Sequence, residues 1–124
     1  MKDPTSPVCQ TISALLQRIG DKSTVLVVTT LFDGSKRFNE LRREIPTVSQ
    51  RMLTLTLRNL ERDGLVSRTV TPTIPPRVDY ELTALGRSLH DPLNALAQWA
   101  LDHVSDIHGA QARFDATRDE SLAA

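Results

Sequence analysis

The sequence predicts an α+β domain, mainly helical, with a short hairpin set between a cation-faced helix and a long C-terminal helix. Three observations predict it. Apolar residues recur at helical spacing within 12–19, 38–45, 53–60 and 85–107. Just after Gly64 the period changes from 3.6 to 2. A proline-rich run, Thr71-Pro72-Thr73-Ile74-Pro75-Pro76, separates the two alternating stretches. A chain of 124 residues with 40% apolar content supports one hydrophobic core and leaves little room for a second.

The first helical face is Ile12, Leu15, Leu16 and Ile19, and Gly20 supplies its stop. Residues 24–32 are ambiguous. Val25, Val27, Val28, Thr29 and Thr30 favour a strand by propensity, yet a short helix buried on every side would read the same way. Asp33-Gly34-Ser35 is a turn, and Phe38, Leu41 and Ile45 mark a short helix that Pro46 ends. Ser49 caps the next helix, which runs to about Asp63 with Gly64 as its C-terminal residue. Wound at 100° per residue, Leu53, Leu57 and Leu60 share one narrow face. Arg51, Arg58 and Arg62 gather opposite, with Leu55 among them and Thr54 on the flank.

Val66, Arg68 and Val70, then Val78, Tyr80 and Leu82, read as the two strands of a hairpin whose stiff tip lies beside Arg77. From Thr83, a second capping residue, Leu85, Leu89, Leu93, Leu96, Ala100, Val104 and Ile107 continue an apolar stripe that Ala97, Trp99 and Leu101 widen. Pro92 is expected to kink or restart this helix. Residues 84–107 would span roughly 36 Å at 1.5 Å per residue, about the width of a compact chain of this size. Such a helix is expected to bury part of itself against a second subunit. The expected organisation is a flexible N-terminus over 1–8, one domain over 9–108, and a polar, acidic, frayed tail over 109–124.

Several function classes are excluded early. Zero net charge and ample aliphatics exclude a disordered chain. No apolar run is long enough to cross a bilayer, and residues 1–10 lack the cationic-then-apolar order of a signal peptide, so no membrane partner is expected. The single cysteine, Cys9, excludes an internal disulfide and a cysteine zinc site and points to a cytoplasmic, reducing location. With only Trp99, Tyr80 and three phenylalanines, a stacking platform for single strands is not expected. There is no glycine-rich phosphate loop and no serine elbow, so no enzyme and no cofactor is expected. His90, His103 and His108 lie near Asp91, Asp102 and Asp106, but this spacing reads as helix-surface polarity, and no metal is expected.

Charge is unevenly spread. Between residues 35 and 68, eight cations (Lys36, Arg37, Arg42, Arg43, Arg51, Arg58, Arg62, Arg68) face four anions (Glu40, Glu44, Glu61, Asp63), a net +4. From Leu101 onward the balance is −3. A basic middle suits a polyanion, and a solvated, salt-bridged helical surface is the alternative on charge alone. Element order narrows the choice. A helix, a turn and a second helix with a cationic outer face form a helix-turn-helix, whose second helix enters a major groove. The adjoining hairpin then reads as a wing.

At this point the chain resembles the HxlR-type winged helix-turn-helix regulators of bacteria, which are MarR-like. The resemblance rests on Arg37-Phe38-Asn39-Glu40-Leu41, on Val48-Ser49-Gln50-Arg51-Met52-Leu53-Thr54, and on Leu57-Arg58-Asn59-Leu60-Glu61-Arg62-Asp63-Gly64-Leu65-Val66. It continues through Pro75-Pro76-Arg77-Val78-Asp79-Tyr80-Glu81-Leu82-Thr83, Gly86 and Trp99, and covers residues 9–105. It implies a winged helix-turn-helix with a two-stranded wing and a long C-terminal dimerisation helix. It also implies that residues 24–32 form the second helix, against strand propensity.

The function implied is that of a homodimeric transcriptional regulator binding a pseudo-palindromic double-stranded DNA operator, with a small-molecule or oxidant effector. Carried over by position, Ser49, Gln50, Arg51 and Thr54 match the start of the recognition helix, Arg37 a phosphate-contacting position, and Arg77 the wing cation. Arg51 is the candidate for a guanine edge, and Arg58 for a phosphate or plain solvation. Cys9 matches the redox-active cysteine of some members, although local sequence offers little thiol activation and a quiet, partly buried thiol is the rival reading. The chain departs from the family at Ser23, where an aromatic residue is usual, and at Gln10, where proline usually follows the cysteine. The competing function is a winged-helix protein–protein assembly module whose arginine face meets an acidic partner.

Overall fold

The structure is a computed structural model that describes Asp3 and residues 5–123, with side chains described to residue 118. Its described part divides after His90 into two units. The first unit opens with α1 (Pro7–Ile19), capped by Ser6, whose Oγ accepts from the Cys9 N–H at 3.1 Å. The helix therefore starts inside the segment expected to be flexible. The rest of that expectation falls in part on residues 1, 2 and 4, outside the described residues.

The ambiguous stretch is helix, α2 (Lys22–Leu31). Val27, Val28 and Leu31 are fully buried on it, and burial outweighs the few tenths of a kcal/mol by which β-branched residues disfavour a helix. Asp21 supplies the cap, accepting from the Ser23 N–H at 3.2 Å. Ser23 itself is buried, and its Oγ lies 2.8 Å from Oγ1 of buried Thr56. The Ser23 hydroxyl donates to Asp21, so the Thr56 hydroxyl donates to Ser23. Asp21, Ser23 and Thr56 thus form a short chain of hydrogen bonds joining α2 to α4.

A two-residue strand, β1 (Lys36–Arg37), leads into α3 (Phe38–Glu44), whose Leu41 is buried. Next comes α4 (Gln50–Arg62), which buries Leu53, Leu57 and Leu60 as its periodicity predicts. Asp63 closes α4, and Gly64 follows in the left-handed region with φ 78°. Strands β2 (Val66–Thr71) and β3 (Arg77–Leu82) pair antiparallel from Val66–Leu82 to Thr71–Arg77, so Thr71 joins the ladder and residues 72–76 of the proline-rich run form the tip outside it. The two-stranded wing, β2 with β3, is extended by β1 into a three-stranded sheet of order β1-β3-β2, with Lys36 opposite Tyr80 and Arg37 opposite Asp79. Two residues are too short to show a period of 2, so β1 left no readable trace.

Thr83 caps α5 (Ala84–Ser88), accepting from the Gly86 N–H at 3.1 Å and donating to the Gly64 carbonyl at 2.6 Å. Gly86 is obligatory, because a Cβ there would collide with the carbonyl oxygen of Leu65. The unit's core is Val27, Val28, Leu31, Leu41, Ile45, Leu53, Leu57, Leu60, Val66 and Leu82.

The long helical pattern breaks at Leu89, the C-cap of α5, and restarts as α6 (His90–Ala123). Pro92 sits in the first turn of α6, where its missing N–H costs no intrahelical bond. Contrary to the expected frayed tail, α6 runs through Gly109 as far as Ala123. A helix-interior glycine costs only about 1 kcal/mol, and Ala110, Ala112 and Ala116 are among the strongest helix formers. In the second unit Leu93 is buried, whereas Leu96, Trp99, Leu101, Val104, Ile107 and Phe114 are exposed. Among the described residues no helix is long and apolar enough to cross a membrane.

Candidate nucleic-acid interface

The face begins at a cap. Ser49 Oγ accepts the Met52 N–H at 3.1 Å, satisfying one of the donors that a helix start leaves open and keeping its own proton to donate outward. From the first turn onward Gln50, Arg51, Thr54 and Arg58 are exposed and line a shallow concavity of about 600 Å³ with Leu55. Arg51 and Arg58 project from the side of α4 turned away from the buried Leu53, Leu57 and Leu60, with Gln50 and Thr54 on its flank. The fold thus spends one side of the helix on the core and leaves the guanidinium side clear. Thr54 Oγ1 donates to the Gln50 carbonyl at 2.9 Å, so toward a ligand Thr54 offers lone pairs and a methyl group rather than a proton. Arg62 is exposed on the same helix.

Arg37 and Arg77 lie on the sheet rather than on α4. Cross-strand partners share a face, and residues two apart on a strand do too, so Arg37, Asp79 and Arg77 stand on one side of the sheet. Arg77 Nε bonds Asp79 Oδ2 at 2.9 Å, leaving the outer guanidinium nitrogens for a ligand. The Arg37 backbone N–H donates to Glu40 Oε1 at 3.0 Å, and its side chain is exposed. Lys36 is engaged with Glu44 at 3.1 Å, which leaves Arg37 as the available cation of β1.

One cluster was not singled out from the sequence. Asn39, Arg42 and Arg43 line a hollow of about 480 Å³ with Pro46 and Val48, directly before the cap of α4. The only sequence signal was the count of cations, because nothing in the local pattern says which way the end of a seven-residue helix points. Leu55, half exposed within the polar face, was visible on the helical wheel but had no role assigned to it.

The remaining candidates lie elsewhere. Cys9 is half-buried on α1. His103 Nδ1 is 2.8 Å from the Trp99 carbonyl oxygen, and its ring stacks on Trp99 at 4.6 Å. His90 stacks on Phe32 at 3.6 Å. Among the described residues no three metal-ligating side chains converge.

A capped helix with a cationic outer face, preceded by a short helix and a turn and followed by a hairpin, defines a winged helix-turn-helix of the transcription-regulator class. A family model for HxlR-like helix-turn-helix proteins matches residues 18–108, and the chain belongs to that family. It is 41% identical to the uncharacterized HTH-type transcriptional regulator YtcD of Bacillus subtilis over 98 residues, 79% of this chain and 78% of the relative. It is 49% identical to an HTH-type transcriptional regulator of Methanothermobacter thermautotrophicus over 88 residues, 71% of this chain and 67% of the relative. Among solved structures, the redox regulator HypR in its reduced form superposes with a TM-score of 0.73 at 39% identity, over 80% of this chain and 98% of HypR.

Proposed function

We propose that this chain is a sequence-specific, homodimeric regulator of transcription that binds a pseudo-palindromic duplex operator. The observation that carries the reading is the exposed outer face of α4, where Gln50, Arg51, Thr54 and Arg58 surround one concavity just past a capped helix start. In a major groove the first turn of such a helix meets base edges. Arg51 suits the paired acceptors of guanine, and Gln50 those of adenine. Arg58, Arg37 and the outer nitrogens of Arg77 supply phosphate contacts that fix register without reading sequence. The hollow of Asn39, Arg42 and Arg43 adds a phosphate site at the turn. Dimerisation through α6 and the apolar stripe of α1 sets the two α4 helices about 34–36 Å apart, one turn of DNA.

Selection of bound sequences from a random duplex pool tests the reading. A two-fold related consensus with half-sites about ten base pairs apart is expected. Recovery of no consensus at any salt overturns it and favours the assembly module.

A response to oxidant at Cys9 is favoured by the likeness to the redox regulator HypR. With one cysteine in the chain, an oxidised thiol pairs with a second subunit or with a small thiol. Repeating the selection after diamide treatment of the wild type and of Cys9→Ser tests whether Cys9 carries such a response. Redox control requires that diamide change operator affinity in the wild type alone.

A further inference from the structure

Between α1, α2 and α4, adjoining the proposed DNA face at Leu55, lies a cleft of about 490 Å³. That volume is in the range of small-molecule sites, typically about 300–1,000 Å³. Ala14, Met52 and Leu55 form its apolar walls, while Gln17 and Asn59 present side-chain amides and Thr24 and Thr56 hydroxyl-bearing side chains. Its charged groups are already committed. Arg18 Nη1 holds Asp63 Oδ1 and Oδ2 at 2.7 and 2.8 Å, and Asp21 accepts from both the N–H and the hydroxyl of Ser23.

We propose that this cleft, bounded by Met52, Leu55 and Ala14 and edged by Gln17 and Asn59, binds an uncharged, planar aromatic molecule with an amide-like hydrogen-bonding edge, and that its occupancy changes operator affinity through Leu55. The second half rests on the DNA-binding reading above, whereas the first half does not.

Geometry argues for both halves. On a helical wheel α4 shows three faces, separated by roughly 100–150°. Leu53, Leu57 and Leu60 enter the core, Gln50, Arg51, Thr54 and Arg58 point outward, and Met52, Thr56 and Asn59 face the cleft. Leu55 falls between the last two and lines both the cleft and the outward concavity. A ligand that presses on Leu55 from one side therefore alters the apolar floor of the DNA face on the other. Ligand chemistry follows from the walls. Thioether and aliphatic surfaces take an aromatic plane, and the amides of Gln17 and Asn59 each offer a donor and an acceptor to its edge. A net charge would compete with the Arg18–Asp63 pair or lie against Asp21.

The cleft is also distinct from the apolar stripe of α1. Val8, Ile12, Leu15 and Ile19 share one face of that helix, and Ala14, Gln17 and Arg18 lie roughly 135° away. The cleft and the stripe therefore draw on different faces of α1.

Met52 makes the test direct, because the chain has only two methionines and the other is Met1. The full chain carrying ¹³C-methyl methionine is titrated with 2-naphthamide and, separately, with the anionic 2-naphthoate, in the absence of DNA. A saturable shift of the Met52 methyl is expected with the amide, with the carboxylate at least about tenfold weaker. Ala14→Trp, at an exposed position off the apolar stripe and off the DNA face, fills the cleft. It is expected to weaken the amide at least about tenfold and to leave the methyl spectrum otherwise folded.

With the selected operator present, saturating 2-naphthamide is expected to change affinity by about fivefold or more, the lower end of ordinary coupling between sites. The absence of a saturable Met52 shift, or an equal shift in Ala14→Trp, overturns the site. A saturable shift with unchanged operator affinity overturns the coupling. If the chain selects no duplex at all, the DNA reading fails while the Met52 result still decides the cleft.

Discussion

Arg51 and Asp79 carry the sharpest predictions at the scale of single residues. Arg51 sits in the first turn of α4, exposed and beside Gln50 and Thr54, where a bidentate contact to a base is worth about 1–3 kcal/mol of discrimination. Arg51→Ala is expected to lower affinity for the selected operator roughly 5–150-fold and to change binding to random duplex only slightly, read by titrating both in one buffer. Equal losses on both would make Arg51 a backbone contact. Asp79 acts in the opposite sense. It stands opposite Arg37 in the ladder and bonds Arg77 Nε, so it subtracts one charge from the sheet face and fixes one guanidinium. Asp79→Asn is expected to raise affinity for random duplex and steepen its dependence on salt by about one ion, while narrowing the gap to the operator. An unchanged salt slope would show that neither arginine approaches a phosphate.

The elements show where sequence reasoning reaches and where it stops. The core face of α4, its Ser49 cap and the Gly64 terminus were legible because each follows from local pattern or backbone conformation. So were the outward arginines, since a face opposite three buried leucines has only solvent to meet. α2 was not legible by propensity. Its β-branched run is helical because Val27, Val28 and Leu31 are wholly buried, and burial is a property of the surroundings. β1 was too short to read, and the persistence of α6 past Gly109 depended on alanines whose content had been treated as tail.

The Ser23–Thr56 bond joining α2 to α4 was hidden for a different reason. It pairs two residues far apart in the chain, each unremarkable alone. Ser23→Ala leaves the buried Thr56 hydroxyl without its acceptor, and a loss of about 1–3 kcal/mol in urea unfolding is expected. Adding Thr56→Val removes the orphaned hydroxyl, so the double variant should recover much of that loss, a coupling that additive effects would exclude.

For the whole molecule the governing quantity is the distribution of charge. Net charge is zero, yet residues 35–68 carry +4 and the stretch from Leu101 carries −3. Under the proposed reading, overall charge gives little attraction to DNA, and affinity would depend on cations placed around α4 and the sheet. Arg37, Arg42, Arg43, Arg58 and the outer nitrogens of Arg77 are exposed candidates in this chain. If three of these meet phosphates in each half of a dimer, six phosphates are neutralised. Operator affinity should then fall about a thousandfold between 50 and 200 mM salt, with a logarithmic slope near −5. The same titration at protein concentrations spanning the dimer–monomer equilibrium separates the two contributions. A monomer places one α4 in one half-site, so below the dimerisation midpoint the slope should drop by about half and the ten-base-pair spacing preference should vanish. A slope that stays near zero at every concentration would mean that the cationic face meets something other than a nucleic-acid backbone, whatever the fold.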